Sequence, residues 1–164
     1  MSDDAPDRIK SIIRLRLDEK SFVRRRPEVE HEREIAVFDL LEDNTFVLVG
    51  DGAHPGPYHL QVALKGDRLV LDVFDTSDMA VRQIGLAIKP FHMLVKDYFI
   101  VCESYFDAIK SSSPSQIEAI DMGRRALHNE GADGLRERLA ADVTMDHATA
   151  RRFFTLLCVL KMRG

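Results

Sequence analysis

Hydrophobic and polar residues alternate along several segments of the first half of the chain, and this period of two indicates β-strands. The predicted strands cover residues 9–17, 58–64, 68–74 and 80–88, and the β-rich run 45–49 is a further candidate. In the first strand, Ile13, Leu15 and Leu17 are predicted to share the buried face. Gly66 and Asp67 separate two of the strands, which is the signal of a β-hairpin with a two-residue turn.

Elsewhere, hydrophobic residues recur at spacings of three and four, which indicates helices with one apolar side. The first helix begins at Pro27 and ends at residues 43–44, and its predicted apolar side contains Ile35, Phe38 and Leu41. The later helices are predicted from Pro90 to a serine-rich break at 111–114, over 115–129 with a stop before Gly131, over 134–141, and from Thr144 or Asp146 through Leu160.

The order of elements, mostly strands first and then helices, is typical of an α+β fold. We expect an antiparallel sheet of about four to five strands in the N-terminal half, packed against three to four helices mostly from the C-terminal half. Residues 1–8 are predicted to be a flexible leader and residues 9–164 a single domain. A chain of 164 residues can bury a sizeable core without disulfides or a structural metal.

Composition and charge narrow the class of protein. The chain is 45% hydrophobic and 30% charged, as in soluble globular proteins, and its net charge of −4 predicts no nucleic-acid partner. The longest apolar run, residues 153–160, is too short for the roughly 20 residues that cross a bilayer, so no membrane association is expected. Residues 1–8 lack the apolar core of a signal peptide, and we expect a cytoplasmic location.

Cysteine and histidine spacing gives no sign of a metal or cofactor. Cys102 and Cys158 do not form a C-x-x-C pair, and Cys102 lies on an apolar helical stripe, where a cysteine usually acts as a small buried hydrophobe. His54 and His59 are close in sequence but do not match a known ligand spacing. We therefore predict no metal site, no cofactor and no cysteine nucleophile.

Two places could carry chemistry. Residues 49–58 place three glycines, two prolines and His54 in one connection, where glycine would allow close approach of a ligand, although an ordinary wide loop is the alternative. On the helix at 115–129, Asp121, Arg125 and His128 are spaced to share one face, where an arginine could hold an anion and His128 could titrate near neutral pH. The alternative is a solvated face with an Asp–Arg pair, worth a few tenths of a kcal/mol.

The candidate catalytic residues are therefore His128, Asp121 and Glu130, and the candidate ligand-binding residues are Arg124, Arg125, Asn129, His54 and Tyr58. A third group, Arg14 and Arg16 with the run at 24–26, could form a basic surface for an acidic partner or RNA. The negative charges of four glutamates between residues 28 and 34 would weaken the positive potential of this surface, so a solvated surface of mixed charge is favoured.

Several longer segments resemble uncharacterised protein family 0262, a bacterial family found in alphaproteobacteria. The segments are His54-Pro55-Gly56-Pro57-Tyr58, Lys96-Asp97-Tyr98-Phe99, Cys102-Glu103-Ser104-Tyr105, residues 121–131, and Thr149-Ala150-Arg151-Arg152-Phe153. The resemblance covers most of the chain and implies a bacterial cytoplasmic setting. It implies no activity, cofactor or catalytic residue.

The sequence does not determine one function, and whether the protein is an enzyme stays open. The leading hypothesis is a small cytoplasmic binding or regulatory module that forms a homo-oligomer, because the late helices carry ample apolar surface and no catalytic motif is present. The alternative is an enzyme acting on a small phosphate- or carboxylate-bearing substrate. In that case Arg124 and Arg125 clamp the anion, His128 is the acid or base, and the loop at 52–57 shares their cleft.

Overall fold

The structure is a computed structural model that describes residues 8–22 and 26–161. The described residues do not include positions 1–7 of the predicted leader. They also do not include positions 24 and 25 of the basic run at 24–26. The elements are β1 (Ile12–Leu17), α1 (Pro27–Glu42), β2 (Phe46–Leu48), β3 (Tyr58–Lys65), β4 (Arg68–Phe74), β5 (Ala80–Ala87), a short 3-10 turn (Lys89–Phe91), α2 (His92–Ser111), α3 (Pro114–Leu139), β6 (Val143–Met145) and α4 (His147–Leu160).

The main sheet has four strands in the order β1-β3-β4-β5. The pairs β3-β4 and β4-β5 are antiparallel, whereas β1 and β3 are parallel because α1 carries the chain back before β3 begins. The candidate strand at 45–49 forms β2, which pairs antiparallel with β6 in a separate two-stranded sheet. The predicted α+β class is confirmed, with one parallel pair in an otherwise antiparallel sheet.

One face of the main sheet is buried against the helices, and the other is mainly polar, although Ala63 and Val70 on it are also buried. The buried side chains of the first face are Leu60, Val62, Leu69, Leu71, Val73, Ile84 and Leu86. In β1 the predicted face is correct for Leu15, which is buried, and for Leu17, which packs against the core, but it is wrong for Ile13, which is 44% exposed while Ile12 is buried. The pairing of β1 with β3 is irregular between Ile12 and Arg14, which breaks the alternation.

The predicted apolar side of α1 is correct for Leu41, which packs against the core, but wrong for Ile35 and Phe38. Phe38 is 64% exposed and Ile35 is exposed, whereas Ala36 and Leu40 are buried. The C-terminal end of the helix is tied to β1 by the buried Asn44 amide. Its Oδ1 accepts from the N–H of Ile12 at 2.8 Å, and its Nδ2 donates to the carbonyls of Ile12 and Leu40, both at 2.9 Å. These bonds are consistent with Leu40 facing inward and Phe38 facing solvent.

The two helices predicted at 115–129 and 134–141 are one continuous helix of 26 residues, α3. Gly131 does not end it, because the glycine lies where the helix meets the buried ring of Phe154 and leaves no room for a β-carbon. Gly134 packs less tightly beside Phe91, where a β-carbon would lie 3.1 Å from the ring. Both glycines therefore allow close packing rather than marking a helix end.

Helix α4 is the most buried helix, as predicted for most of its length. Nine of its 14 residues are buried. The Asp146 side chain caps it by accepting from the N–H of Thr149 at 2.8 Å, and the hydroxyl oxygen of Thr149 accepts from the N–H of Thr45, also at 2.8 Å. The cap therefore joins α4 to the segment leading into β2. Among the described residues, no helix is long and apolar enough to cross a membrane.

Gly131→Ala should lower the free energy of unfolding by about 1–3 kcal/mol, because a β-carbon would overlap the Phe154 ring. Gly123→Ala on the same helix is the matched control. A β-carbon there meets nothing within 4 Å, so the better helix propensity of alanine should raise the free energy of unfolding by about 0.5–1 kcal/mol. Urea denaturation measures both changes. Equal effects of the two substitutions would contradict the packing described for Gly131.

Candidate functional site

The predicted anion clamp on α3 is already paired with a carboxylate. Asp121 accepts from Arg124 at 2.6 Å and forms an ion pair with Arg125 at 2.8 Å. The Arg124 hydrogen bond is the main cause that lowers the pKa of Asp121, and the same bond raises the pKa of Arg124. The Arg124 guanidinium also lies 5.3 Å from the ring centre of Tyr105 on α2. These contacts fit the Asp–Arg pair that the sequence offered as the alternative.

His128 connects α3 to α4. Its Nε2 lies 2.9 Å from the carbonyl oxygen of Arg151 and 2.9 Å from the hydroxyl of Thr155. Because a carbonyl can only accept, Nε2 carries the proton and donates to it. The ring lies between Tyr98 and Phe154, with centroids 5.6 and 5.8 Å away. Each of these contacts joins helices, so His128 has a structural part in the core.

Burial lowers the pKa of His128, and the positive charge of Arg151 lowers it further. The Nδ1 atom faces the Arg151 guanidinium at 3.5 Å, so a second proton on the ring would meet a like charge. Asp121 forms its ion pairs with arginines, and the exposed side chains of Asn129 and Glu130 have no hydrogen-bond partner in residues 8–22 and 26–161, so none of these candidates contacts the ring of His128. The folded protein therefore favours a neutral His128.

The loop before β3 is held by its own hydrogen bonds. The Nδ1 atom of His54 accepts from the N–H of Gly56 at 3.0 Å. Tyr58 is fully buried, and its hydroxyl donates to the carbonyl of His54 and accepts from the N–H of Leu48 at 3.1 Å. Tyr58 therefore holds the loop against β2. Of the two candidate residues in this loop, only the half-buried His54 remains partly accessible to a ligand.

Among the described residues, the two predicted sites, the 49–58 loop and the polar cluster on α3, are not in direct contact. Across the described ranges 8–22 and 26–161, no hydrogen bond, ion pair or ring contact links the 49–58 loop to the polar cluster on α3. The ring of His54 contacts Tyr58, and the ring of His128 contacts Tyr98 and Phe154. Ligand binding or catalysis by these eight residues stays a prediction.

The two cysteines lack the environment of a nucleophile. Burial raises the pKa of the Cys102 thiol, and burial raises the pKa of Cys158 as well. Burial also raises the pKa of neighbouring Tyr98 to about 12, so no thiolate or phenolate is favoured at this place near neutral pH. Within the part of the chain that the structure describes, no group of three or more His, Cys, Asp or Glu residues is arranged to hold a metal ion.

A second polar cluster lies on the open face of the main sheet, where the sequence predicted a basic surface from Arg14 and Arg16 and considered His59 only as a metal ligand. The Oδ1 atom of Asp78 accepts from Arg14 at 2.8 Å and lies 2.8 Å from Nδ1 of His59. Together with Arg16, Gln61 and others, these residues line a concavity of about 250 Å³. The sequence indicates this cluster only through the alternation of Arg14 and Arg16. The residues that lie beside these arginines, His59, Gln61 and Asp78, are 45 or more positions away in the chain.

Comparison with known proteins places the chain among bacterial relatives. The sequence model of the uncharacterised protein family UPF0262 matches residues 9–163. The UPF0262 protein of Rhodospirillum rubrum is 58% identical over 153 residues, which cover 93% of this chain and 93% of that protein. The UPF0262 protein of Paramagnetospirillum magneticum is 55% identical over 93% of this chain and 96% of its own length. The corresponding values for Agrobacterium fabrum are 51%, 88% and 90%.

These relatives come from alphaproteobacteria, as the resemblance predicted, and their names state no ligand or reaction. No solved structure matches the chain. The functional argument therefore depends on the geometry of this chain.

The lowered pKa of His128 should make stability depend on pH. Between its folded pKa and the ordinary value of 6.5, the unfolded chain binds more protons, so the free energy of unfolding falls as pH falls below about 6.5. His128→Gln removes this contribution, and its free energy of unfolding should fall less than that of the wild type between about pH 7.5 and 5.5. The exposed His92, replaced by Gln, is the control. If both variants keep the wild-type slope in urea titrations, the role given to His128 is wrong.

Proposed function

Since the chain belongs to the uncharacterised protein family UPF0262, we propose that it is a small cytoplasmic binding module that acts as a homodimer. The observation that carries the proposal is an apolar seam along α2 that the monomer leaves exposed. The two cysteines are free, which supports a reducing compartment such as the cytoplasm. Subcellular fractionation of the native host tests the location.

The seam lies on the distal arm, which we define as residues 99–127 of the α2–α3 hairpin. Ala108 is the one buried residue of this described segment. Toward the core, α3 packs on α4 through Gly131 and Phe154, and farther out the Arg124 guanidinium of α3 lies over the ring of Tyr105 on α2. On α2, the large apolar side chains of Phe106 and Ile109 remain exposed and would be buried only by a partner.

The spacing of the seam is that of a coiled coil. Phe99, Cys102, Phe106 and Ile109 follow one another at intervals of three, four and three residues, which places them along one side of the helix. Phe106 is 66% exposed and Ile109 is 53% exposed. Phe99 packs partly against the core and Cys102 is partly buried, so Phe106 and Ile109 provide the exposed apolar surface of the seam, a feature typical of interaction sites.

The flanking charges favour a second copy of the same chain. Exposed Glu103 and Lys110 lie on the same flank of the seam, three residues before Phe106 and four residues after it. If two α2 helices pack antiparallel about a two-fold axis near Phe106, each Glu103 lies opposite Lys110 of the other copy. A two-fold interface uses the same patch twice, so one self-complementary seam is sufficient. Two arms would then form a four-helix arrangement.

The α3 cluster gives less support to the alternative of an anion-binding enzyme. Asp121 already pairs with both Arg124 and Arg125, so their charges are partly neutralised before any ligand arrives. Binding through the apolar seam therefore has the stronger physical basis.

Phe106→Asp should convert the dimer to a monomer, because it places a carboxylate at the centre of the apolar seam. Sedimentation equilibrium at about 50 µM, where a moderate dimer persists, measures the mass. Ile100→Asp is the matched control, since Ile100 is 51% exposed on α2 but lies off the seam, and it should remain dimeric. A wild-type monomer at this concentration, or a Phe106→Asp dimer, would contradict the proposal.

The packing direction has its own test. Glu103→Lys should weaken the dimer by placing like charges opposite Lys110, and the double exchange Glu103→Lys with Lys110→Glu should restore it. We expect a several-fold rise in the dimer dissociation constant for the single variant, measured at low salt. Failure of the second substitution to restore the dimer would exclude the antiparallel arrangement.

A further inference from the structure

We propose that the open face of the main sheet binds the phosphate group of a small phosphorylated ligand. The site is the concavity of about 250 Å³ lined by Arg14, Arg16, His59, Leu60, Gln61, Phe74 and Asp78. It lies on the opposite face of the sheet from the core. It is also separate from the dimer seam on α2, so this proposal does not depend on that one.

Strand pairing assembles the site from distant parts of the chain. The parallel pairing of β1 with β3 places Arg14 beside His59 and Arg16 beside Gln61. The antiparallel pairing of β3 with β4 then places Phe74 beside His59. Because side chains alternate across a strand, these five residues all project from the solvent-facing side of the sheet.

Asp78 fixes one wall of the site. It lies in the turn between β4 and β5, where the Asp75 carboxylate accepts from the N–H groups of Ser77 and Met79 at 2.9 and 3.0 Å. Asp78 has a φ of 61°, a left-handed conformation that is uncommon for residues other than glycine. In this conformation its carboxylate bonds both Arg14 and His59, which orients these side chains but also partly neutralises the charge of Arg14, so Arg16 is the cation that can bind an anion fully.

Several polar groups around the concavity have no protein partner. In residues 8–22 and 26–161, the side chains of Arg16 and Gln61 form no hydrogen bond or ion pair, and Nε2 of His59 is also free. The other carboxylate on this face, that of Asp72, accepts from the Gln83 amide at 2.8 Å. The unpaired positive charge of Arg16 therefore has no competing carboxylate bound to it.

The arrangement fits a phosphate better than a carboxylate. Arg14, Arg16, Gln61 and His59 approach from two strands, and a phosphate has three terminal oxygens to share among them, whereas a carboxylate has two. Arginine forks suit phosphate geometry. The ring of Phe74 adds an apolar wall that can contact the organic part of a phosphate ester.

The test is a titration of isotope-labelled protein with inorganic phosphate, followed by amide shifts in NMR spectra. We expect saturable shifts at residues 14–16, 59–61 and 78 in the millimolar range, and a loss of affinity of about tenfold in Arg16→Gln. Arg125→Gln on α3 is the control of equal charge change, and it should bind phosphate like the wild type. Because Arg16 is exposed, its replacement should leave the fold unchanged, which the same spectra report.

The outcomes separate the two candidate anion sites. The proposal is overturned if the wild type shows no saturable shifts up to about 20 mM phosphate, or if Arg16→Gln keeps wild-type affinity. It is also overturned if Arg125→Gln abolishes binding, because the site would then be the cluster on α3. Acetate at the same concentrations is the second arm, and binding of acetate as tight as that of phosphate would contradict the assignment to phosphate.

Discussion

The burial of α4 is the constraint on which the rest of the structure depends. The helix packs against both α1 and α3, and nine of its 14 residues are buried. Phe154 is fully buried against Gly131 and lies 5.7 Å from the ring of Tyr98, so one side chain joins three helices. At the other end of α4, Thr149 bonds the segment before β2. Loss of this packing would separate the sheet from the helical hairpin.

The same packing explains why two surfaces are left over. The contacts between α4 and α3 described above lie between His128 and Gly131, and the hairpin continues past them as the distal arm. The sheet uses one face for the core, and its other face is free to carry polar side chains such as Arg16 and Gln61. In our account the arm binds a second copy and the open face binds a ligand, so the two activities do not compete with folding.

The pattern of hydrophobic residues predicted an element correctly where one side of that element faces the core and the other side faces solvent. Strands β3, β4 and β5 were predicted to within one residue, because their apolar positions alternate and the Gly66-Asp67 turn fixes one hairpin. The pattern of hydrophobic residues failed where contacts with distant parts of the chain determine which side of an element is buried. Phe38 and Ile35 are as hydrophobic as core residues, but both side chains are exposed. Asn44 holds the end of α1 against β1, and in this orientation of the helix the two side chains face solvent.

The candidate site was predicted in its residues but not in its contacts. The sequence marked His128 as polar and titratable, but its partners Arg151 and Thr155 are 23 and 27 residues away. Spacing within one helix cannot reveal such partners, and it cannot reveal the register that brings Arg14 to Asp78, 64 residues later. From the sequence, Gly131 resembles a helix end, because the ring that explains the glycine belongs to another helix.

Hydrogen exchange read by mass spectrometry, at two protein concentrations about a hundredfold apart, tests the central claim that the distal arm is an interface and not part of the folding core. Our account predicts that α4 is the slowest segment to exchange at both concentrations. Peptides within residues 99–122 should exchange quickly in dilute solution and become protected as the concentration rises. An arm that is as protected as α4 in dilute solution, or whose exchange is independent of concentration, would contradict the account.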